Sequence, residues 1–593
     1  MTMLPDATQP RRGKLSRSIA GRGAWLALEW SIFLGAALWL TWPLAAHWTT
    51  ALPLGCEAEP VVPILNLWTQ WWNADRIQHA YRDYWRAPIF YPAPNAFVFS
   101  EPQPLAGLAA WALTPLLPSR EAVFNVLLWL HLALNGWCTC RMFRSWRCRW
   151  WVAIASGLMV EMMPAVHWQL GVVQLVPLWG IVLTLQCLIR LARRPTVPRG
   201  LGCGVAAGVT YLLCSYYGLM LGVLAIATVP VWLHRRWLRA AYWRRFVTGT
   251  AAAGIVAALI ASPVLLAQWP AAGDSTVPPR ALVAELASQP IHFLRTPWKQ
   301  WFPLPGIATA DQASPWAFSP GTVKLALAGI GVWAGICVRR HRRLVLFWLA
   351  LFAVSAVLAM GPTLAPGGYG PHDILVAVCP GYDQLRNIHR FATFGQLALV
   401  VLAGLGLEQL WRWMARLAAA RFPAYQRTLP RLVGIAIVAI ALAEAVPGKP
   451  RIFETPRAPP TWVAFLQERS RPDDVVAIFP MPKDNPLTNS RPTALAMVWQ
   501  MQHERRMING YSGLVPYEYL EREVRLREFP SVDSLIELQQ IGVDLLVVPS
   551  EVDSGVEELS ALEQFRDSVI REHRDASGAV FRLRQPPLGA PAK

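Results

Sequence analysis

Arginine-dense gaps alternate with arginine-poor gaps along this chain, and the stretches between them are apolar and long enough to cross a bilayer. That alternation leaves few folds open. A hydrocarbon core about 30 Å thick needs roughly 20 apolar residues per helix, and lysine and arginine collect in cytoplasmic loops. The pattern therefore predicts an α-helical polytopic membrane protein. Composition agrees, since 54% of the residues are hydrophobic and 16% are charged, against roughly 25% charged in an ordinary soluble domain. The formal net charge of +18 is spread between apolar runs, so it reads as positive-inside bias and not as a nucleic-acid footprint.

Predicted spans cover 24–46, 121–140, 149–164, 168–190, 200–215, 217–234, 247–268, 322–338, 344–360, 392–411 and 431–447, about 11 transmembrane helices. The first follows Arg11, Arg12, Lys14, Arg17 and Arg22, and with no convincing small-residue cleavage site behind it, it reads as a retained span. With a cytoplasmic amino terminus, the gaps around Arg141–Arg149, Arg190–Arg199, Arg235–Arg245, Arg339–Arg343 and Arg412–Arg427 all fall inside. Counting the short apolar segment from Pro104 to Leu117 as a crossing would throw the Arg141 cluster outside. It is expected instead as a re-entrant or surface-lying helix on the outer face.

The chain thus divides into a transmembrane domain over 1–447, with large outer loops at 47–120, 269–321 and 361–391, and a carboxyl-terminal domain over 448–593. More than half of the 37 acidic residues lie in the second part. Strand-like stretches at 475–479, 543–548 and 580–583 alternate there with helical ones at 534–540 and 559–565, which predicts a small α/β domain. An odd number of spans puts it outside. It carries no glycine-rich phosphate loop and no dinucleotide fingerprint. The nine cysteines are too scattered for a disulfide framework, although a bridge between Cys56 and Cys379 is open.

Candidate chemistry lies in the outer loops. Glu57 and Glu59 follow the first span directly, at the depth where the head of a lipid-borne substrate emerges, and either could serve as a general base or metal ligand. Glu101 precedes the Pro104 helix, which Ser100 could cap. Glu161 sits at the outer end of a span, where an ionisable group is costly and usually faces a cavity. His167, Gln169, Trp68, Tyr216 and Tyr217 are either interfacial anchors or contacts to sugar or acceptor. Arg386 and Arg390, with His389 between them, stand on the side the charge rule disfavours. If helical they share a face and form a clamp for a phosphate or diphosphate. Arg295 and Lys299 are a looser pair for the same task.

Several stretches together resemble the polytopic glycosyltransferases of the GT-C superfamily, in particular bacterial members with a carboxyl-terminal outer domain. These are Trp68 to Trp72, Phe90-Tyr91-Pro92 before Glu101, Ser215 to Gly218, Arg386 to Phe391 leading into Leu402 to Leu407, and Asn509 to Gly513. The resemblance implies a sugar taken from a polyprenyl-phosphate donor and passed, with inversion, to a glycan, lipid or protein acceptor on the outer face of the bacterial inner membrane. It implies no nucleic-acid partner. Superfamily members carry a catalytic acid, usually aspartate, in the first outer loop. Here the role passes to Glu59, with Glu57 as its rival and Glu161 or Glu101 as alternatives. Arg386 and Arg390 would neutralise the departing phosphate. A divalent cation, magnesium or manganese, is left open. Two other readings share these features: a transporter or flippase for lipid-linked sugars, and a non-catalytic envelope assembly protein.

Overall fold

A computed structural model describes residues 13–228, 230–233, 239–271, 277–298, 302, 304–307, 309, 316–337, 342–444, 446–481, 490–550 and 561–584. Each predicted span coincides with a helix: Gly13–Leu40, Arg120–Ser145, Trp150–Glu161, Leu178–Arg193, Val197–Leu213, Ser215–Thr228, Ala240–Ala271, Thr322–Cys337, Arg342–Met360, Phe391–Arg421 and Leu429–Ala443. Among the described residues, seven helical stretches are long and apolar enough to cross a membrane. The spans at Val197–Leu213, Thr322–Cys337 and Leu429–Ala443 are shorter apolar helices, and Trp150–Glu161 has 12 residues. The protein is a multi-pass membrane protein. The Pro104 segment forms a helix over Pro104–Leu113, with Gln103 and not Ser100 at its N-cap position and no side-chain cap, and with Leu108 and Trp111 exposed.

The Phe391–Arg421 helix is buried over almost all of Phe391 to Glu408, and the helix packs against Thr322–Cys337, Arg342–Met360 and Trp150–Glu161. Its approach to Thr322–Cys337 is so close that a Cβ on Gly406 would lie 1.9 Å from the carbonyl oxygen of Leu327. Small residues allow such contact, which supplies packing energy where lipid offers no hydrophobic drive. Ion pairs on buried carboxylates pin the bundle. Glu444 accepts hydrogen bonds from the backbone of Val323 (2.7 Å) and Lys324 (3.1 Å), at the start of Thr322–Cys337, and lies 3.4 Å from Lys324 Nζ. Glu408 is closed on by Arg412, at 2.9 Å, and by Arg149.

Two sheets organise the rest. Strand β1 (Ala51–Pro53) pairs antiparallel with β2 (Ile452–Glu454), which ties the first loop to the chain entering the carboxyl-terminal unit. That unit is a five-stranded sheet of β3 (Val475–Ile478), β4 (Arg506–Met507), β5 (Leu545–Pro549), β6 (Val569–Asp575) and β7 (Gly578–Leu583), in the order β4-β3-β5-β7-β6. β3 runs parallel to β4 and β5, whereas β7 is antiparallel to β5 and β6. Helices Thr461–Arg469, Arg491–His503, Tyr517–Arg525 and Val532–Gln540 pack around it. Part of the expected helix at 559–565 lies outside the described residues. Arg491–His503 escapes a periodicity reading because it is buried nearly all round, packed against Thr461–Arg469 and the Val61–Gln78 helix of the first loop, and so has no polar face to mark its period.

Candidate functional site

The site is built where the first loop, the Phe391–Arg421 helix and the carboxyl-terminal unit meet. The loop turns sharply after β1. Gly55 takes φ +62°, and a Cβ there would lie 2.7 Å from the carbonyl oxygen of Trp168, so glycine is required. Cys56 donates its N–H to that same oxygen at 2.7 Å, and Arg451 donates to the Glu57 carbonyl at 2.6 Å. The backbone of Glu57 is thereby fixed. Among the described residues its carboxylate accepts no hydrogen bond. Burial pushes the Glu57 pKa above its ordinary value, and the nearby guanidinium groups of Arg390 and then Arg386 pull it back.

Glu101 sits on a turn held from four sides. The side chains of Asn66 and Asn73, two turns apart on one face of Val61–Gln78, bond to Gln103 Nε2 and to the carbonyl of Pro102, each at 2.8 Å. Gln268 donates to the Ser100 carbonyl at 2.9 Å, and Ser100 Oγ lies 2.7 Å from Ser512 Oγ. Glu101 accepts from Ser215 N at 2.7 Å and from Ser215 Oγ at 2.6 Å. Ser215 opens the Ser215–Thr228 helix, so this carboxylate meets the positive end of a helix dipole. Burial raises its pKa, while the two Ser215 bonds and then Arg390 lower it.

The charge of Arg390 lowers the pKa of both carboxylates. Its guanidinium lies 4.7 Å from the centre of the Tyr216 ring, a cation–π contact. Its Nε is buried without a hydrogen-bond acceptor among the described residues. The structure corrects the expected helical clamp. Arg386 lies in a bend, and Arg390 ends a 3-10 turn over Ile388–Arg390, so the two do not share a helix face. The charges of both act on Glu57 nonetheless. Tyr511 joins them from the carboxyl-terminal unit, its hydroxyl pushed up to about 12 by burial and by Glu57, with Arg386 acting the other way. Its loop is clamped, because Asn509 exchanges two 2.8 Å hydrogen bonds with the Ile478 backbone and Gly510 packs on the Phe90 ring.

A cleft of about 760 Å³ opens beside the cluster. Ser100, Glu101, Ser215 and Tyr216 form its polar end, and Leu265, Trp269, Val376 and Val378, all exposed, form an apolar rim.

The remaining candidates lie elsewhere. Glu59 points toward the carboxyl-terminal unit, its carboxylate 47% exposed and 3.3 Å from Arg491. Glu161 is fully buried, with neither oxygen hydrogen-bonded among the described residues, beside Gly136 and apart from the arginines. His167 bonds to the Glu161 carbonyl at 2.9 Å, and Gln169 is buried. Trp68 is fully buried, stacked at 7° on Trp72 and bonded through Nε1 to Gln500 at 2.8 Å. Tyr217 donates to the Leu175 carbonyl at 2.7 Å. His389 stacks on Trp316 at 3.8 Å. Arg295 lies beside His292, and Lys299 falls outside the described residues. Cys56 and Cys379 are free thiols. Sequence reasoning passed over Tyr511, although it stood within a stretch that carried the resemblance.

Among the described residues, no group of three or more His, Cys, Asp or Glu side chains is placed to hold a metal ion. Glu57 feels the guanidinium charges of Arg390 and Arg386, and Glu101 that of Arg390, charges that work against a divalent cation at these carboxylates.

No protein-family model matches the chain, and no curated protein matches it. Solved structures do. The arabinofuranosyltransferase AftD from mycobacteria is similar over 94% of this chain, at 15% identity and a TM-score of 0.56, and the chain spans 40% of AftD's length. ArnT from Cupriavidus metallidurans bound to undecaprenyl phosphate is similar over 96% of this chain and 98% of its own, at 13% identity and a TM-score of 0.47. The likeness to AftD shows the fold alone: this chain is folded like the corresponding part of AftD.

Proposed function

We propose that this protein transfers a sugar from a polyprenyl-phosphate donor to a hydroxyl of a glycan, lipid or protein acceptor, at the extracytoplasmic face of the bacterial inner membrane and with inversion. The amino terminus is then cytoplasmic and the carboxyl-terminal unit extracytoplasmic. The observation that carries this reading is the open cluster. The charges of Arg390 and Arg386 act on Glu57 with no ion pair closed among the described residues, beside a cleft with one polar end and one apolar rim.

Each group then has a task. The apolar rim takes the first isoprene units of the donor, and the guanidinium groups take its phosphate. Glu57 is the general base, because its carboxylate is free to accept a proton. Glu101 is engaged by Ser215 and acts as a positioning residue for Arg390. The acceptor oxygen gives its proton to Glu57 and bonds to the anomeric carbon. The bond from that carbon to the phosphate oxygen breaks, and polyprenyl phosphate leaves with the electron pair. Negative charge grows on the departing phosphate, where Arg386 and Arg390 stabilise it most. No step needs a divalent ion.

The test is transfer of labelled sugar from polyprenyl-phosphate donors by the purified protein. Transfer that disappears in Glu57→Gln while the protein stays folded supports the reading. Transport of the donor without transfer would instead favour a flippase.

A further inference from the structure

The stretch from Met507 to Leu514 belongs to the carboxyl-terminal unit, yet its backbone is laced into the first outer loop. Phe90 and Tyr91 donate their N–H groups to the carbonyls of Asn509 (3.3 Å) and Met507 (3.0 Å), Met507 donates to Pro88 at 3.1 Å, and Leu514 donates to Phe99 at 3.0 Å. The buried Ser512 hydroxyl donates to that same Phe99 carbonyl at 2.9 Å. Tyr511 is therefore held on both sides by bonds that cross from one unit to the other. The same stretch runs along the polar end of the larger cleft. Leu514 stands in the cleft wall, and a Cβ on Gly513 would lie 3.7 Å from the hydroxyl of Tyr216, the ring that Arg390 approaches at 4.7 Å.

The Tyr511 side chain is partly buried, and its hydroxyl makes no hydrogen bond among the described residues. Burial and then Glu57 keep that hydroxyl protonated, with Arg386 acting the other way, so at any working pH it has a proton to donate. The Tyr216 hydroxyl is likewise unbonded among the described residues. Two guanidinium groups with no acceptor of their own and two phenols with a proton each give this corner a surplus of donors. Buried donors are ordinarily met by an acceptor. A neutral hydroxyl offers one oxygen and no charge, whereas a phosphate offers several acceptor oxygens and the negative charge that guanidinium groups favour. We infer that Tyr511 is a further ligand of the donor phosphate, its hydroxyl donating to a phosphate oxygen beside Arg386, so that the carboxyl-terminal unit supplies part of the donor site; this inference rests on the transferase reading. A hydrogen bond in that place gains strength as negative charge gathers on the departing phosphate.

The full-length protein in nanodiscs would be titrated with undecaprenyl phosphate and, separately, with undecaprenol, which keeps the isoprene chain and lacks the phosphate. Tyr511→Phe keeps the ring and removes only the hydroxyl. It is expected to bind undecaprenyl phosphate about tenfold more weakly, the scale of a hydrogen bond to a charged group, and undecaprenol as the parent protein does. Tyr517→Phe, at an exposed position of the same unit, should bind both ligands with parent affinity. Unchanged affinity of Tyr511→Phe for undecaprenyl phosphate overturns the assignment, and so does a parallel loss for both ligands, which would make Tyr511 a packing residue. A parent protein that does not prefer the phosphate to the alcohol overturns it as well. The transferase reading fails separately, through undiminished transfer in Glu57→Gln by a protein that binds the phosphate normally.

Discussion

One helix carries two opposite uses of the same pair of charges. Phe391–Arg421 begins beside Arg390 and carries Glu408 eighteen residues later, roughly 27 Å along its axis, which approaches the thickness of a hydrocarbon core. At the far end Glu408 is closed on by Arg412 and Arg149, and Arg149 also lies 3.5 Å over the Trp411 ring. At the near end Arg390 and Arg386 stand off from Glu57, and Arg390 Nε is left without an acceptor. A closed pair satisfies its own charges and has nothing left to offer a ligand. An open cluster is costly in the absence of a ligand, and the surrounding turn tolerates it because Gly55, Arg451, Ser215 and Ser512 hold the backbone on every side.

Substitutions can break that contrast. The largest effect is expected at Glu57. Glu57→Gln should lower the transfer rate by about 10²- to 10⁴-fold, the usual scale for a general base, with an unchanged melting profile. In Glu408→Gln the rate per folded molecule should persist. Equal losses of rate in both variants would erase the distinction between a working cluster and a structural one.

Next in size is the buried pair of Lys324 and Glu444, whose side chains are 3% and 0% exposed. Lys324→Met leaves a buried carboxylate without its cation, and removing one partner of such a pair costs about 3–5 kcal/mol. Thermal unfolding should therefore begin markedly earlier, while surviving molecules turn over at the parent rate. The double variant Lys324→Met with Glu444→Leu should recover much of the stability. If it recovers none, the backbone bonds from Val323 and Lys324 to Glu444 matter more than the charge pair.

Arg390→Ala comes third. Loss of a charge aimed at the leaving phosphate should cost about 10²- to 10³-fold in rate, and it carries a pH signature that a merely structural arginine lacks. Glu57 must be ionised to accept a proton, so transfer falls as pH drops through its pKa. Burial places that limb above the ordinary glutamate value of about 4.3. Arg390 is the largest influence holding it down, so in Arg390→Ala the acid limb should move to higher pH. A limb that stays in place would show that the guanidinium does not act on Glu57.

Much of this architecture could be read from the sequence, because span length and arginine placement are imposed by the bilayer on each helix separately. The Pro104 helix fell out of the same constraint. Strands β3, β5 and β7 were visible as runs of valine and leucine between turns. What stayed hidden depended on distant contacts. Arg386 and Arg390 were singled out for the wrong local geometry, since helical spacing was assumed where a bend and a 3-10 turn stand. Trp68 looked like a sugar platform because its partner, Gln500, lies 432 residues away. Tyr511 gave no sign of reaching Glu57, because a clamp between Asn509 and Ile478 sets its direction.

The choice between Glu57 and Glu59 belongs to the same class and yields the smallest expected effect. Two glutamates two residues apart are equivalent by composition, and only the turn at Gly55 decides which one faces the arginines. Glu59 is turned toward Arg491, with both side chains about half exposed at 47% and 51%. A solvent-exposed pair of this kind contributes roughly 0.2–1 kcal/mol, so Glu59→Gln should change the transfer rate by no more than about fivefold. Its acid limb should coincide with that of the parent protein, because the charge removed lies outside the cluster that sets the Glu57 pKa. A loss in Glu59→Gln as deep as that in Glu57→Gln would mean that the turn rearranges when donor binds and that the base is the residue now facing Arg491.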